Sequence, residues 1–61
     1  MKKIYTKNGI KNIYKRHEAI SISERQNYKN EELNFVPTKI GNDDYEIRVY
    51  CAITTKYVKT I

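Results

Sequence analysis

The stretch of sequence that decides the fold lies near the C-terminus and reads Tyr45-Glu46-Ile47-Arg48-Val49-Tyr50-Cys51-Ala52-Ile53-Thr54. Apolar and polar side chains alternate along it, and a period of two is typical of a strand with one buried face. Ahead of it, residues 33–40 form a second extended run, and Gly41-Asn42-Asp43-Asp44 between the two has the composition of a hairpin loop. We therefore predict an antiparallel hairpin with strands at about 33–40 and 44–54.

Two features refine this C-terminal hairpin. Pro37 cannot donate a ladder hydrogen bond, so the first strand should lie at a sheet edge or carry a bulge. The alternation continues to Ile61, and a single strand over 45–61 would measure about 55 Å, too long for a chain of this size. The chain must therefore bend near 54–56, where it either enters a further strand or leaves residues 55–61 as an arm that pairs with a second copy.

The N-terminal half supports two interpretations. Asn8-Gly9 is a favoured hairpin turn, and Lys2–Lys7 and Ile10–Lys15 would be its strands. Apolar residues also fall at helical spacing between Ile10 and Ile20, which would give a short helix near 9–17 with Asn8 as its N-cap. The pattern leaves helix or hairpin open at 8–20.

The segments that follow have weaker signals. Residues 18–24 alternate like a strand, and residues 25–32 resemble a polar loop or an exposed turn that Ser23 would cap. The predicted fold class is mostly β, a small antiparallel sheet, with α+β and the 9–17 helix as the alternative.

Length and composition bound the architecture. The chain has 61 residues and a formal net charge of +5, which predicts one small domain over 1–61. A domain this small buries only about 60% of its unfolded surface, so we expect self-association, as a dimer, to supplement a thin core. No apolar run approaches the roughly 20 residues that span a bilayer, which predicts no membrane partner. A single cysteine cannot form an intramolecular disulfide, which favours a reducing, cytoplasmic setting.

Residue types that carry chemistry are scarce. Structural zinc needs about four Cys or His ligands, and the chain has only His17 and Cys51. Two glycines cannot form a glycine-rich phosphate loop. The acidic cluster at 42–46 lacks the spacing of a calcium loop, and we interpret it as a set of residues typical of a turn. We interpret Cys51 as a small core residue. The sequence therefore predicts no catalytic residues, no metal site and no cofactor: a protein that acts by binding.

Charge is distributed unevenly, which suggests a nucleic-acid-binding function. Residues 1–16 carry six basic side chains and no acid, residues 17–46 carry a net charge of −4, and residues 47–61 carry +3. Basic ends that converge on one face, with tyrosines among them, would resemble a surface that binds single strands. The residues expected to matter in that case are Lys11, Lys15, Arg16, Arg48, Tyr50 and Lys56.

Aromatic content favours the other interpretation, which is recognition of a protein partner. Six tyrosines and one phenylalanine are many for so small a core, and tyrosine and arginine are enriched at interface hot spots. Exposed edge strands at 33–40 or 55–61 would also offer main-chain pairing to a partner. We expect Tyr50 and Tyr57 to contact this partner. The leading prediction is therefore a small accessory or inhibitory factor, of the kind that phages and plasmids encode, with nucleic-acid binding as the alternative.

Overall fold

Five strands and one helix make up the fold, and the computed structural model describes all 61 residues. In chain order they are β1 (Lys2–Thr6), β2 (Gly9–Ile13), α1 (Arg16–Lys29), β3 (Leu33–Lys39), β4 (Tyr45–Cys51) and β5 (Tyr57–Thr60). β1 and β2 form a two-stranded sheet, and β3, β4 and β5 form a three-stranded sheet in that order, both antiparallel. The predicted mostly β class is confirmed.

The predicted C-terminal hairpin is present, with β3 and β4 as its two strands. β3 pairs with β4 so that Phe35 lies opposite Val49, and β3 is an edge strand, which is one of the two arrangements predicted from Pro37. The second strand is shorter than predicted: β4 ends at Cys51, and the side chain of Ile53 is 84% exposed in the following turn. That turn reverses the chain, with Thr55 at a φ of 61°, and β5 returns along β4 within the same molecule. Of the two options for residues 55–61, the chain adopts the further strand.

The N-terminal segment is a hairpin, and the alternative helix near 9–17 is wrong. Residues 9–13 are β2, paired with β1 in a register that places Tyr5 opposite Ile10. The turn is Lys7-Asn8 rather than Asn8-Gly9, and both of its residues have negative φ while Gly9, at +119°, closes it. The expected turn type needs positive φ at both central positions, and Lys7 and Asn8 do not provide it. The positive φ instead falls one position later, at Gly9, the residue that joins the turn to β2.

Helix α1 occupies residues for which a strand at 18–24 and a polar loop at 25–32 were predicted. Lys15 precedes it, and the Glu18 carboxylate accepts a hydrogen bond from the Lys15 N–H at 3.1 Å, which satisfies a donor at the helix start. Ser23, predicted as a cap, is instead buried in the middle of the helix. The helix ends at Lys29, and the N–H of the capping residue Asn30 donates to the Gln26 carbonyl at 2.9 Å.

The core lies between α1 and one face of the three-stranded sheet. Its buried members are Tyr14, Ala19, Phe35, Ile47 and Val49. Ile47 and Val49 are fully buried because alternate residues of a strand share a face, and that face is turned toward the helix. Ala19 has no accessible surface, and its small side chain allows the helix to approach the sheet closely. The opposite face of the sheet is left without a helix.

The outer edge of β3 is covered in its first half by the side chain of Asn27 on α1 and by the backbone carbonyl of Asn30. The Asn27 amide oxygen accepts from the Phe35 N–H at 2.6 Å, and its nitrogen donates to the Phe35 carbonyl at 3.1 Å. The Leu33 N–H bonds the Asn30 carbonyl at 3.4 Å, and Pro37 has no N–H. An edge strand with a row of unpaired N–H and C=O groups can pair with a strand of another chain. The 33–40 edge, expected to be available to a partner, is therefore occupied within the molecule at Leu33 and Phe35 and lacks a donor at Pro37.

Candidate binding surface

The face of the three-stranded sheet opposite α1 carries the residues for which binding roles were predicted. Because side chains alternate along β4, Glu46, Arg48 and Tyr50 point away from the core that Ile47 and Val49 enter. β5 contributes Thr60 beside Arg48 and Tyr57 beside Tyr50. An irregularity in the register between Val49 and Tyr50 is a β-bulge, which brings Tyr57 and Thr60 to the same face although they are three residues apart.

Tyr50 and Tyr57 form an aromatic pair on this face. Their ring centroids lie 6.0 Å apart at an interplanar angle of 73°, an edge-to-face arrangement. The Tyr57 hydroxyl and the Thr60 Oγ1 are 2.7 Å apart and share a hydrogen bond. Together with Glu46 and Arg48, these residues line a shallow groove of about 400 Å³. We call the five residues Glu46, Arg48, Tyr50, Tyr57 and Thr60 the tyrosine face.

Glu46 is the electrostatic centre of the tyrosine face. Its side chain is buried, with Arg48 Nε 2.7 Å from one carboxylate oxygen and Lys11 Nζ 3.1 Å from the other. The hydrogen bond from Arg48, supported by Lys11, lowers the pKa of Glu46 against the opposing effect of burial, and Glu46 in turn raises the pKa of Arg48. Both cations are therefore already paired with the same carboxylate, and the three side chains together keep a net charge of +1.

The N-terminal hairpin forms one wall of an adjoining cleft. Tyr14, just after β2, pairs with Tyr45 through two backbone hydrogen bonds of 2.8 Å, and its hydroxyl donates to the Ile61 carbonyl at 3.0 Å. These bonds hold β2 beside the end of β5. The resulting cleft, of about 370 Å³, shares Glu46, Tyr57 and Thr60 with the groove of the tyrosine face, and Lys11 and Asn12 stand on its hairpin side.

The remaining basic residues predicted for nucleic acid do not join this surface. Lys15 and Arg16 follow Tyr14, which pairs at the start of β4, and both are exposed; the Lys15 Nζ lies 4.0 Å from Asp43. Lys56 is exposed at the opposite end, where its carbonyl accepts from the Cys51 N–H. The length of β4, about 20 Å at 3.4 Å per residue, separates the two groups. Of the six predicted residues, Lys11, Arg48 and Tyr50 come together, and Lys15, Arg16 and Lys56 do not.

Residues considered for catalysis and metal binding lie apart from one another. His17 is exposed in the first turn of α1. Cys51 is half-buried at the end of β4 rather than in the core, and hydrogen bonds from Thr54 lower the pKa of its thiol. The structure has no group of three or more metal-ligating side chains. Helix α1, with 14 residues, falls short of what a membrane crossing requires.

Glu46 is the site residue that the sequence interpretation missed. It was grouped with the acidic turn at 42–44, whereas it is the second residue of β4 and faces the groove. The available signal was its position two residues before Arg48, which places acid and base on the same face of a strand. Comparison with known proteins adds nothing to the geometry, because no family model, curated protein or solved structure matches the chain.

Proposed function

We propose that this protein is a non-enzymatic binding factor that docks on a larger protein through the tyrosine face, as an accessory or inhibitory component. The observation that carries the proposal is the pairing of Tyr50 and Tyr57 beside Arg48 on a sheet face that no helix covers. Tyrosine and arginine are the residue types most enriched at interface hot spots. Rings held by a neighbour and by a hydrogen bond also lose little conformational entropy on binding.

The charges of the tyrosine face support a protein partner more than a phosphate backbone at this position. Arg48 and Lys11 both lie against Glu46, so a phosphate there would have to compete with a buried carboxylate for each cation. Aromatic edges and an ion-paired guanidinium instead suit a partner surface with an apolar centre and hydrogen-bonding groups around it. The net charge of +5 would speed encounter with an acidic partner. The partner we propose is therefore an acidic protein, met in a cytoplasmic setting.

Capture experiments test this proposal with three tyrosine variants. Tagged protein would be used to recover partners from a lysate of its source cells, after nuclease treatment and at low and high salt. Tyr50→Ala and Tyr57→Ala should each reduce the recovered protein, since losing a hot-spot residue costs about 2 kcal/mol or more, roughly 30-fold in affinity. Tyr28→Ala is the matched control, because Tyr28 is 92% exposed on α1, away from the groove.

Two results would contradict the proposal. One is capture that both groove variants leave at the level of Tyr28→Ala. The other is a recovered protein that disappears after nuclease treatment, because nucleic acid would then be the bridge. Circular dichroism of each variant establishes that any lost capture does not arise from unfolding.

A further inference from the structure

The N-terminal hairpin, residues 2–13, projects from the rest of the molecule. Every residue from Met1 to Ile10 is exposed, and β1 pairs with no strand other than β2. An isolated two-stranded hairpin is only marginally stable in water, and this one buries little apolar surface of its own. Its attachments are the Tyr14–Tyr45 bridge, the ion pair of Lys11 with Glu46, the hydrogen bond from Asn12 to the Ile61 carbonyl and the ion pair of the Met1 ammonium with Glu18.

The register gives the hairpin one inner and one outer face. Lys11 and Ile13 belong to the inner face, since one reaches Glu46 and the other is buried. Their neighbours Lys3, Tyr5, Ile10 and Asn12 therefore belong to the other face, here called the outer face, where Tyr5 and Ile10 lie directly opposite each other. On the β2 side of this face Asn12 donates to the Ile61 carbonyl and Ile10 borders the cleft, so Lys3 and Tyr5 on β1 are its free part. Tyr5 is 80% exposed, and its hydroxyl makes no hydrogen bond within the molecule.

The charge of the hairpin is uncompensated. Lys2, Lys3 and Lys7 have no acidic partner within 4.0 Å, in contrast to Lys11 and Lys15, each of which has one. No acidic residue occurs before Glu18, whose carboxylate is held by the N-terminal ammonium at 2.9 Å. An exposed aromatic ring between lysines on a projecting ribbon is an arrangement that binds an anionic chain: the ring stacks on a base and the ammonium groups neutralise the adjoining phosphates.

We infer that the outer face of the N-terminal hairpin, together with its turn, binds single-stranded nucleic acid, with Tyr5 stacking on a base, and Lys3 on β1 and Lys7 in the turn contacting the phosphates on either side of it. Lysine suits sequence-independent contact with the backbone, because it binds phosphate as a point charge and lacks the bidentate geometry by which arginine recognises guanine. Binding of this kind tolerates any sequence and falls steeply with salt. The inference uses residues outside the tyrosine face and stands independently of the proposed function.

Fluorescence anisotropy of a labelled oligothymidylate of about 12 nucleotides, a length within the range that one small domain covers, provides the test. Wild-type affinity should fall with salt. Lys3→Ala with Lys7→Ala should lower the slope of log affinity against log salt by about 1.4, because each phosphate contact on a single strand contributes about 0.7. Lys29→Ala with Lys39→Ala removes the same charge elsewhere and should leave most of that slope in place.

Variants of Tyr5 test the stacking contact separately. Tyr5→Ala should weaken binding by about 5- to 150-fold, the equivalent of one stacked base, whereas Tyr5→Phe should retain it because stacking needs the ring and not the hydroxyl. The lysine variants leave the Tyr5–Ile10 pair intact, so they remain informative if Tyr5→Ala disturbs the hairpin.

Three results would overturn the inference: no binding of the oligonucleotide at low salt, equal effects of the two lysine pairs, or tighter binding to a duplex of the same length. Loss of protein capture by the hairpin variants in the absence of oligonucleotide binding would likewise overturn it and assign the hairpin to a protein contact.

Discussion

Lys11 on the N-terminal hairpin lies 3.1 Å from Glu46 on the central strand, and this ion pair joins the two sheets of the molecule. The carboxylate is buried, whereas about two fifths of each of the Lys11 and Arg48 side chains is exposed. Glu46 therefore has two roles: it orients Arg48 within the tyrosine face and anchors the hairpin above it.

Glu46→Gln should destabilise the fold by about 1–2 kcal/mol at neutral pH, the range for hydrogen bonds to a charged group with partly exposed partners. The folded-state pKa of Glu46 lies below its ordinary value of 4.5, so its contribution is fully present above that value and is lost as the pH falls through the folded pKa. Urea unfolding between pH 7 and pH 3 should show the difference between wild type and Glu46→Gln shrinking on acidification. Glu24→Gln, exposed on α1, is the control, and a difference that stays constant with pH would contradict the prediction.

Ser23→Ala should stabilise the protein by about 1 kcal/mol. The Ser23 hydroxyl is buried in the middle of α1 and has no hydrogen-bond partner, so its replacement removes an unsatisfied polar group and adds helix propensity. Ser21→Ala, at an exposed position of the same helix, should gain only the propensity, a few tenths of a kcal/mol. Thermal unfolding of both variants measures the difference, and equal gains would refute the contribution of the buried hydroxyl.

Thr55→Gly should also raise stability, by about 1 kcal/mol. Thr55 has a φ of 61°, a region in which its Cβ is crowded against the backbone, and glycine removes that crowding. The neighbouring residue Thr54 has no positive φ, so Thr54→Gly should lower stability by making the unfolded chain more flexible. Opposite signs of the two changes in urea unfolding are expected; a loss at both positions would show that the turn gains nothing from glycine.

Asn27→Ala should destabilise the protein by about 1–2 kcal/mol, because it removes both hydrogen bonds to the backbone of Phe35. Asn27→Asp should also destabilise it, since a carboxylate accepts from the Phe35 N–H but is repelled by the carbonyl beside it. Tyr28→Ala, one residue further along, should change stability by no more than about 0.5 kcal/mol. Chemical denaturation ranks the three variants, and a null effect of Asn27→Ala would contradict the role given to its amide.

The C-terminal hairpin was predictable because Ile47 and Val49 alternate with residues of the other face, and a period of two survives in any context that buries one side of a strand. Helix α1 was not predictable in this way, because Ile20-Ser21-Ile22 alternates locally with the period of a strand. The positions that pack, Ala19, Ile22 and Ser23, do lie at helical spacing, but only one of them is strongly apolar. A helix that approaches its sheet through small side chains leaves a weak hydrophobic signal.

Strand alternation also made part of the binding surface predictable. Arg48 and Tyr50 share a face by strand alternation alone. Their neighbours Tyr57 and Lys11 depend on the turn at Thr55 and on the Tyr14–Tyr45 bridge, contacts between distant parts of the chain that no local pattern encodes.

The hydrogen bonds of Asn27 to the β3 edge make the two edges of the three-stranded sheet unequal in their ability to pair with another molecule. On its β3 side the ladder is interrupted by the Asn27 amide at Phe35 and by Pro37, which has no N–H, whereas the β5 edge has no such interruption. A sheet with two uninterrupted edges could add copies without limit and grow into a filament, whereas a sheet with one can join a single further copy about a two-fold axis and is then complete. By interrupting the β3 edge, one asparagine favours two molecules as the limit of an assembly that this sheet builds by strand pairing.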